Sequence, residues 1–406
     1  MPAKSNVIRL SWHEADSFIT AVYSQKAVNG YTHNFYKYPG RFSPEFARAA
    51  IDVFSRPGEV VVDPFVGGGT SLVESRVAGR IGVGSDRSAL ANFVARTKTR
   101  VLTKQDITQI GDWFSTITEH LTLGQGVRSV RSTDNPYTRN LHCAKTWAIR
   151  QSIELAIARI SRLELPRQQA FARCVVLRTA QWALDGRRHI PSAGRFREKL
   201  IEHADHMLAG AEEFRRAAMA ADQLAPSKGL RRSVCVNRDA SGLADYLATF
   251  GSRGRPRLLL TSPPYPGVHM LYHRWQVRGG RETPAPFWIA NAADGAGASY
   301  YAMHSRSPGG MDNYYSGMEA TYRSLSKACS RSTLVIQLIA FSDPSEQLPR
   351  YLHVMERCGF EEVRLSQHLD THDGRLWREV PGRKWHANVK GRLHSAQEVV
   401  LLHRPA

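Results

Sequence analysis

Two stretches of this chain hold residues whose types and spacing could do chemistry. The first is Thr261-Ser262-Pro263-Pro264-Tyr265. Two consecutive prolines fix φ near −65° and remove two N–H donors, and the residue before each is pushed out of the helical region. The product is a stiff corner whose carbonyls point outward. A flat polar ring could dock there, its amino hydrogens on those carbonyls and its face on Tyr265. The second stretch is Asp63-Pro64-Phe65-Val66-Gly67-Gly68-Gly69-Thr70, where three glycines let backbone approach a ligand closely. It lacks the lysine of a phosphate-binding Walker loop, and its spacing is not Gly-x-Gly-x-x-Gly.

Both stretches need strands behind them. Glu59-Val60-Val61-Val62 and Leu258-Leu259-Leu260 read as buried strands, and Ser71–Ala78 reads as a helix after the glycines. Strand, glycine loop and helix make the nucleotide-binding arrangement of a doubly wound sheet, with the ligand outside the carboxyl ends of the strands. A second strand, Arg80 to Asp86, ends in a carboxylate placed to accept ribose hydroxyls, or to cap the helix that follows.

Together these stretches resemble the amino-methylating DNA methyltransferases, which methylate N4 of cytosine or N6 of adenine. The resemblance covers roughly residues 31–100 and 233–405. It implies a Rossmann-like α/β methyltransferase fold, mostly parallel with an antiparallel C-terminal strand, and S-adenosylmethionine as cofactor. Asp63, Pro64, Phe65, Gly67, Gly69 and Thr70 match the family's cofactor loop. The aromatic segment from His33 to Glu45, with Phe42 before the helix start Ser43-Pro44, is similar to the part that closes over the cofactor's methionine. Asp86 takes the ribose position and Asp239 the adenine-amino position, with Asp106 as a rival for the latter. Ser262, Pro263, Pro264 and Tyr265 match the catalytic motif. The Ser form is more typical of N4-cytosine enzymes, although many of those carry the catalytic motif first, and here the cofactor loop precedes it. No Pro-Cys motif of the five-position cytosine enzymes is present.

Composition agrees with a polyanionic partner. The chain of 406 residues has 55 Lys+Arg against 36 Asp+Glu, a formal charge of +19, which favours salt-sensitive binding to double-stranded DNA. Five scattered cysteines without a CxxC pair argue against disulfides and zinc and fit a reducing compartment, hence the cytoplasm. No metal is expected. No signal peptide is legible, and no apolar run approaches the ~20 residues of a membrane span. A cognate restriction endonuclease is the companion that the resemblance implies.

Residues 100–232 change character. Apolar residues recur at helical spacing, as in Ile153, Ala156, Ile157 and Ile160. This reads as a helical insert between the catalytic-domain segments 1–99 and 233–406, with target recognition as its expected role. Three sets of residues are candidates for DNA contact. Arg187, Arg188 and Arg195 lie on a loop of the insert. His273, Arg274 and Trp275 belong to a long aromatic- and glycine-rich stretch after the catalytic corner, which competes for target recognition. Arg383 and Lys384 lie between two closing strands. An RNA amino-methyltransferase and a non-catalytic DNA-binding relic stand as alternatives.

Overall fold

The computed structural model describes residues 6–38, 43–117, 121, 135–225, 229–267, 275–293, 307–369, 373–379 and 397–406. Phe42, His273, Arg274, Arg383 and Lys384 lie outside them.

The chain begins with a short strand β1 (Val7–Ile8) and helices α1 (Trp12–Tyr23) and α2 (Pro44–Phe54). Ser43 caps α2 by accepting from the amides of Glu45 and Phe46, with Pro44 opening the first turn. Strand β2 (Val60–Asp63), α3 (Thr70–Val77), β3 (Ile81–Asp86) and α4 (Ala89–Thr99) follow. Four helices come next: α5 (Lys104–Ile117), α6 (Ala144–Ile160), α7 (Pro166–Leu184) and α8 (Ala193–Asp222). The sheet resumes with β4 (Ser233–Asn237), α9 (Leu243–Ala248) and β5 (Pro256–Thr261). A two-stranded ribbon, β6 (Trp275–Val277) and β7 (Arg281–Thr283), leads into α10 (Ala285–Ala290). The rest is α11 (Pro308–Ser326), β8 (Leu334–Ala340), α12 (Pro344–Arg357), β9 (Phe360–Leu365), β10 (Leu376–Glu379) and β11 (Gln397–Pro405).

The main sheet has the order β1-β9-β11-β8-β5-β2-β3-β4, with β10 also on β11. Strands β4, β3, β2, β5 and β8 are parallel, and β11 runs antiparallel to β8, β9 and β10. The fold is therefore Rossmann-like, mostly parallel with an antiparallel closing strand. All four residues of β2 and all seven of β8 are buried, as expected where helices cover both faces of a parallel sheet. From β2 the chain moves outward through β3 to β4, then returns to β5 on the other side of β2. The order reverses between β2 and β5, and at such a switch point the carboxyl ends of the strands open a crevice.

Helices α5–α8 share one apolar cluster with α4, the aromatic segment and the ribbon, through Leu90, Phe114, Ile149, Phe171, Phe196, Leu200, Tyr36 and Trp275. They thus pack on α4, and α8 also meets α3, where Arg76 pairs with Asp222. Helix α8 begins at Ala193, capped by Ser192, so Arg195 lies on a helix and not on the expected loop. The spacing of buried residues from Phe196 onward continues without a break, and Pro191 precedes the cap, where it interrupts nothing.

Candidate active site at the switch point

The glycine loop is shaped from within. Gly67 and Gly69 have φ of 45° and 79°, the left-handed region that favours glycine. A Cβ on Gly69 would lie 3.0 Å from both Cα and Cβ of Ala95, so α3 and α4 meet here without room for a side chain. A Cβ on Gly68 would come within 3.0 Å of Tyr38. The Tyr38 ring thus covers one side of the loop. The buried Lys98 donates to the Gly68 carbonyl at 2.7 Å.

Asp63 joins the two motifs. Its carboxylate is buried at 2% exposure. It accepts from the Phe65 amide at 3.1 Å, from the Ser71 hydroxyl, and from the Thr261 hydroxyl at 2.7 Å. Thr261 is the residue before Ser262. One side chain therefore ties the end of β2, the first turn of α3 and the end of β5. Burial pushes the Asp63 carboxyl up to about 6, against the pull of these hydrogen bonds. Asp63 was expected to touch cofactor; with both oxygens engaged by the protein, its observed work is to hold the loop and the corner together.

Asp86 ends β3 beside the same loop. It accepts from the Gly67 amide at 2.9 Å and from the Ser88 amide at 2.8 Å. Burial raises its carboxyl to about 6 as well, while those two amides oppose the shift. The cap of α4 is Ser88, whose hydroxyl accepts from the Ala91 amide, so Asp86 braces the loop and the Ser88 turn and does not cap the helix itself. Asp239 does not end β4, which stops at Asn237; it is exposed and caps the turn that follows, accepting from the Ser241 amide and hydroxyl. It also pairs with Arg87 at 3.4 Å, which places it next to the Asp86 turn. The rival Asp106 is buried and spent on Thr103, Arg167 and Gln168 at the start of α5. Burial alone would raise its carboxyl, but these partners outweigh it and hold it at about 2. Pro64 is buried and Phe65 half-buried against the apolar cluster that contains Tyr265. The Thr70 hydroxyl is buried with no hydrogen-bond partner among the described residues.

At the corner, Ser262 and Pro264 are half-buried and Pro263 and Tyr265 buried. The expectation of free outward carbonyls holds only in part, because the Tyr314 hydroxyl of α11 donates to the Pro264 carbonyl at 2.8 Å. The Tyr265 hydroxyl donates to Glu398 of β11, and only 9% of the residue is exposed. Tyr314, Glu398 and Lys98 were not anticipated. The one available signal was a lone acid, Glu398, opening the apolar run Val399–Leu402.

The DNA-contact candidates are scattered. Trp275 is 1% exposed and donates from Nε1 to the Tyr36 hydroxyl at 3.0 Å. It is a core residue and has no face to offer a base. A large apolar ring with one donor is satisfied best in a core with one acceptor, which outweighs the arginines beside it in sequence. The Arg187 guanidinium lies 4.6 Å from the Trp182 ring centroid, and its Nε donates to the Trp182 carbonyl. Arg195 pairs with Glu198 at 2.6 Å. Arg188 is exposed.

A DNA methylase family model matches residues 3–91, the block that contains the aromatic segment, the glycine loop and Asp86. The chain is similar to the amino-methylating DNA methylases. A type II methyltransferase, M.MjaII of Methanocaldococcus jannaschii, is 28% identical over 102 residues. That match spans 25% of this chain and 18% of the relative's length. Among solved structures, the rRNA methyltransferase AviRa of Streptomyces viridochromogenes aligns over 96% of this chain and 94% of its own, at 12% identity and a TM-score of 0.30.

The residues present fit S-adenosylmethionine. The loop backbone is free of side chains at Gly67 to Gly69, a buried hydroxyl at Thr70 is unspent, and of two acids at the same edge Asp86 ends β3 while Asp239 lies in the turn just beyond β4.

Proposed function

We propose that the protein is an S-adenosylmethionine-dependent methyltransferase acting on an exocyclic amine of a DNA base, with N4 of cytosine as the first choice. The observation that carries this reading is the 2.7 Å bond from Thr261 to Asp63. It makes the Ser-Pro-Pro-Tyr corner and the glycine loop neighbours at the switch point, although almost two hundred residues separate them in sequence. The cofactor would supply an electrophilic methyl group when bound. Asp86 would accept from ribose hydroxyls and Asp239 from the adenine amino group, with Thr70 and the Gly67–Gly69 backbone beneath the chain of the ligand.

The target amine is a poor nucleophile because its lone pair is delocalised into the ring. Ser262 and the Pro263 carbonyl would accept its hydrogens and draw the nitrogen toward tetrahedral geometry. Positioning of this kind is worth ~7–11 kcal/mol. A base within a duplex cannot reach the corner, so it must be extruded at a cost of about a few kcal/mol. Tyr265, nearly enclosed, would meet it with a small part of its ring. The segment 100–232 would help to read the target, with Arg188 available for phosphate. A partner endonuclease in a restriction system is compatible with this reading. Among the described residues, no helix is long and apolar enough to cross a membrane.

The test is mass spectrometry of nucleosides from unmethylated DNA and from RNA, each incubated with the protein and isotopically labelled S-adenosylmethionine. N4-methyldeoxycytidine is expected. N6-methyldeoxyadenosine would reassign the base, and label in RNA alone would reassign the substrate. No label in any nucleoside would end the enzymatic reading.

A further inference from the structure

The two prolines fix the backbone of the corner, yet they leave the side chain of Tyr265 free to turn about its own χ angles. Something else has to hold that ring: it packs in the apolar cluster with Tyr314 and Tyr315, and its hydroxyl leads to a buried ion pair. Its hydroxyl donates to Oε1 of Glu398. The other oxygen, Oε2, takes Nε and Nη2 of Arg378 at 2.9 and 2.8 Å. Arg378 stands directly opposite Glu398 in the β10–β11 register. Its Nη1 donates to the Val22 carbonyl at the end of α1 at 3.2 Å, and its guanidinium lies 5.7 Å from the Phe46 ring centroid of α2. Arg378 and Glu398 are 4% and 5% exposed.

We infer that Glu398, ion-paired to Arg378, is a positioning residue that fixes the Tyr265 ring plane before a base arrives. A buried ion pair in a β-sheet seldom gains stability over apolar residues of the same volume, so stability alone does not account for this one. A carboxylate has two separate oxygens, and here one is given to Tyr265 and the other to the arginine. The arginine in turn is moored to α1 and α2, so the ring orientation is referred to the same N-terminal block that leads into the glycine loop. The inference rests on the methyltransferase reading above and deepens it: turnover depends on a residue that touches neither base nor cofactor.

The experiment replaces the pair by apolar residues of similar volume, Glu398→Leu with Arg378→Met, which leaves no buried charge unpaired. It is compared with Tyr265→Phe and with the triple variant. Turnover with labelled S-adenosylmethionine and unmethylated DNA should fall about ten- to hundredfold in the apolar pair, with cofactor affinity by calorimetry within about twofold of wild type. Because Glu398 acts through Tyr265, the triple variant should be no slower than Tyr265→Phe, a coupling that a purely structural role would not give. A second readout needs no activity. With 3-fluorotyrosine incorporated, the fluorine line that Tyr265→Phe deletes should be narrow in wild type and exchange-broadened in the apolar pair. An unchanged line, wild-type turnover in the apolar pair, or additive losses in the triple variant would overturn the positioning role alone. A wild-type protein that methylates neither DNA nor RNA would remove the reading beneath it.

Discussion

Thr261→Val is the substitution that most directly probes the joint between the two motifs. Valine keeps the shape and the β-branch of threonine, so the buried strand end of β5 is undisturbed. What disappears is one donor to Asp63, the 2.7 Å bond from Oγ1 to Oδ1. The carboxylate keeps Ser71 on one oxygen and the Phe65 amide on the other. Loss of a hydrogen bond to a charged group costs about 1.5–3 kcal/mol. The sign of the accompanying pH effect follows from the carboxyl's position. Burial already raises it to about 6, and removing a donor to the charged form raises it further. A raised carboxyl contributes stability below the unfolded value near 4 and loses that contribution as pH rises through the folded value. Thr261→Val should therefore be destabilised most at pH 7–8 and least near pH 4–5. Urea unfolding followed by tryptophan fluorescence across this range reads the effect, and calorimetry with S-adenosylmethionine should show weaker binding because Pro64 follows the loosened residue. A loss of stability relative to wild type that is equal at pH 5 and pH 8, or cofactor binding like wild type, would refute the idea that Asp63 joins loop and corner.

Asp86 should make cofactor affinity pH-dependent: its carboxyl sits at about 6, so binding that needs the charged form should weaken about tenfold between pH 7 and pH 5, and Asp86→Asn should abolish that slope in calorimetric titrations. Gly69→Ala places a Cβ 3.0 Å from Ala95 at φ 79°, so it should lower the thermal midpoint and cost at least the ~1–2 kcal/mol of left-handed strain, with cofactor binding lost. Trp275→Ala should cost about 3–5 kcal/mol as a core truncation, and in the folded fraction the salt dependence of DNA binding, measured by fluorescence anisotropy, should keep its wild-type slope.

Part of the candidate site was legible because it is written in local chemistry. Two prolines before a tyrosine, and glycines after a β-branched run, restrict backbone at the positions where they stand, whatever surrounds them. A carboxylate ending a short apolar run marks a strand end in the same way. The arginines and Trp275 were less legible, because their fate depends on what packs against them. Arg187 found the Trp182 face, Arg195 found Glu198, and Trp275 found the Tyr36 hydroxyl. Trp182 and Tyr36 lie at no spacing that marks them as partners in sequence, and Glu198, three residues after Arg195, becomes one only because α8 starts as early as Ala193.

The amino-acid sequence by itself determined the strands, the proline corner, the glycine loop and the expectation of a doubly wound sheet, since each rests on the conformational limits and burial pattern of a few consecutive residues. Only the tertiary structure decided that β5 lies against β2, that Thr261 therefore reaches Asp63, and that Glu398 and Arg378 arrive beneath Tyr265. The physical reason is the sheet itself. Strand order is set by which faces bury together across hundreds of residues, and hydrogen bonds between side chains can form only after that order has closed.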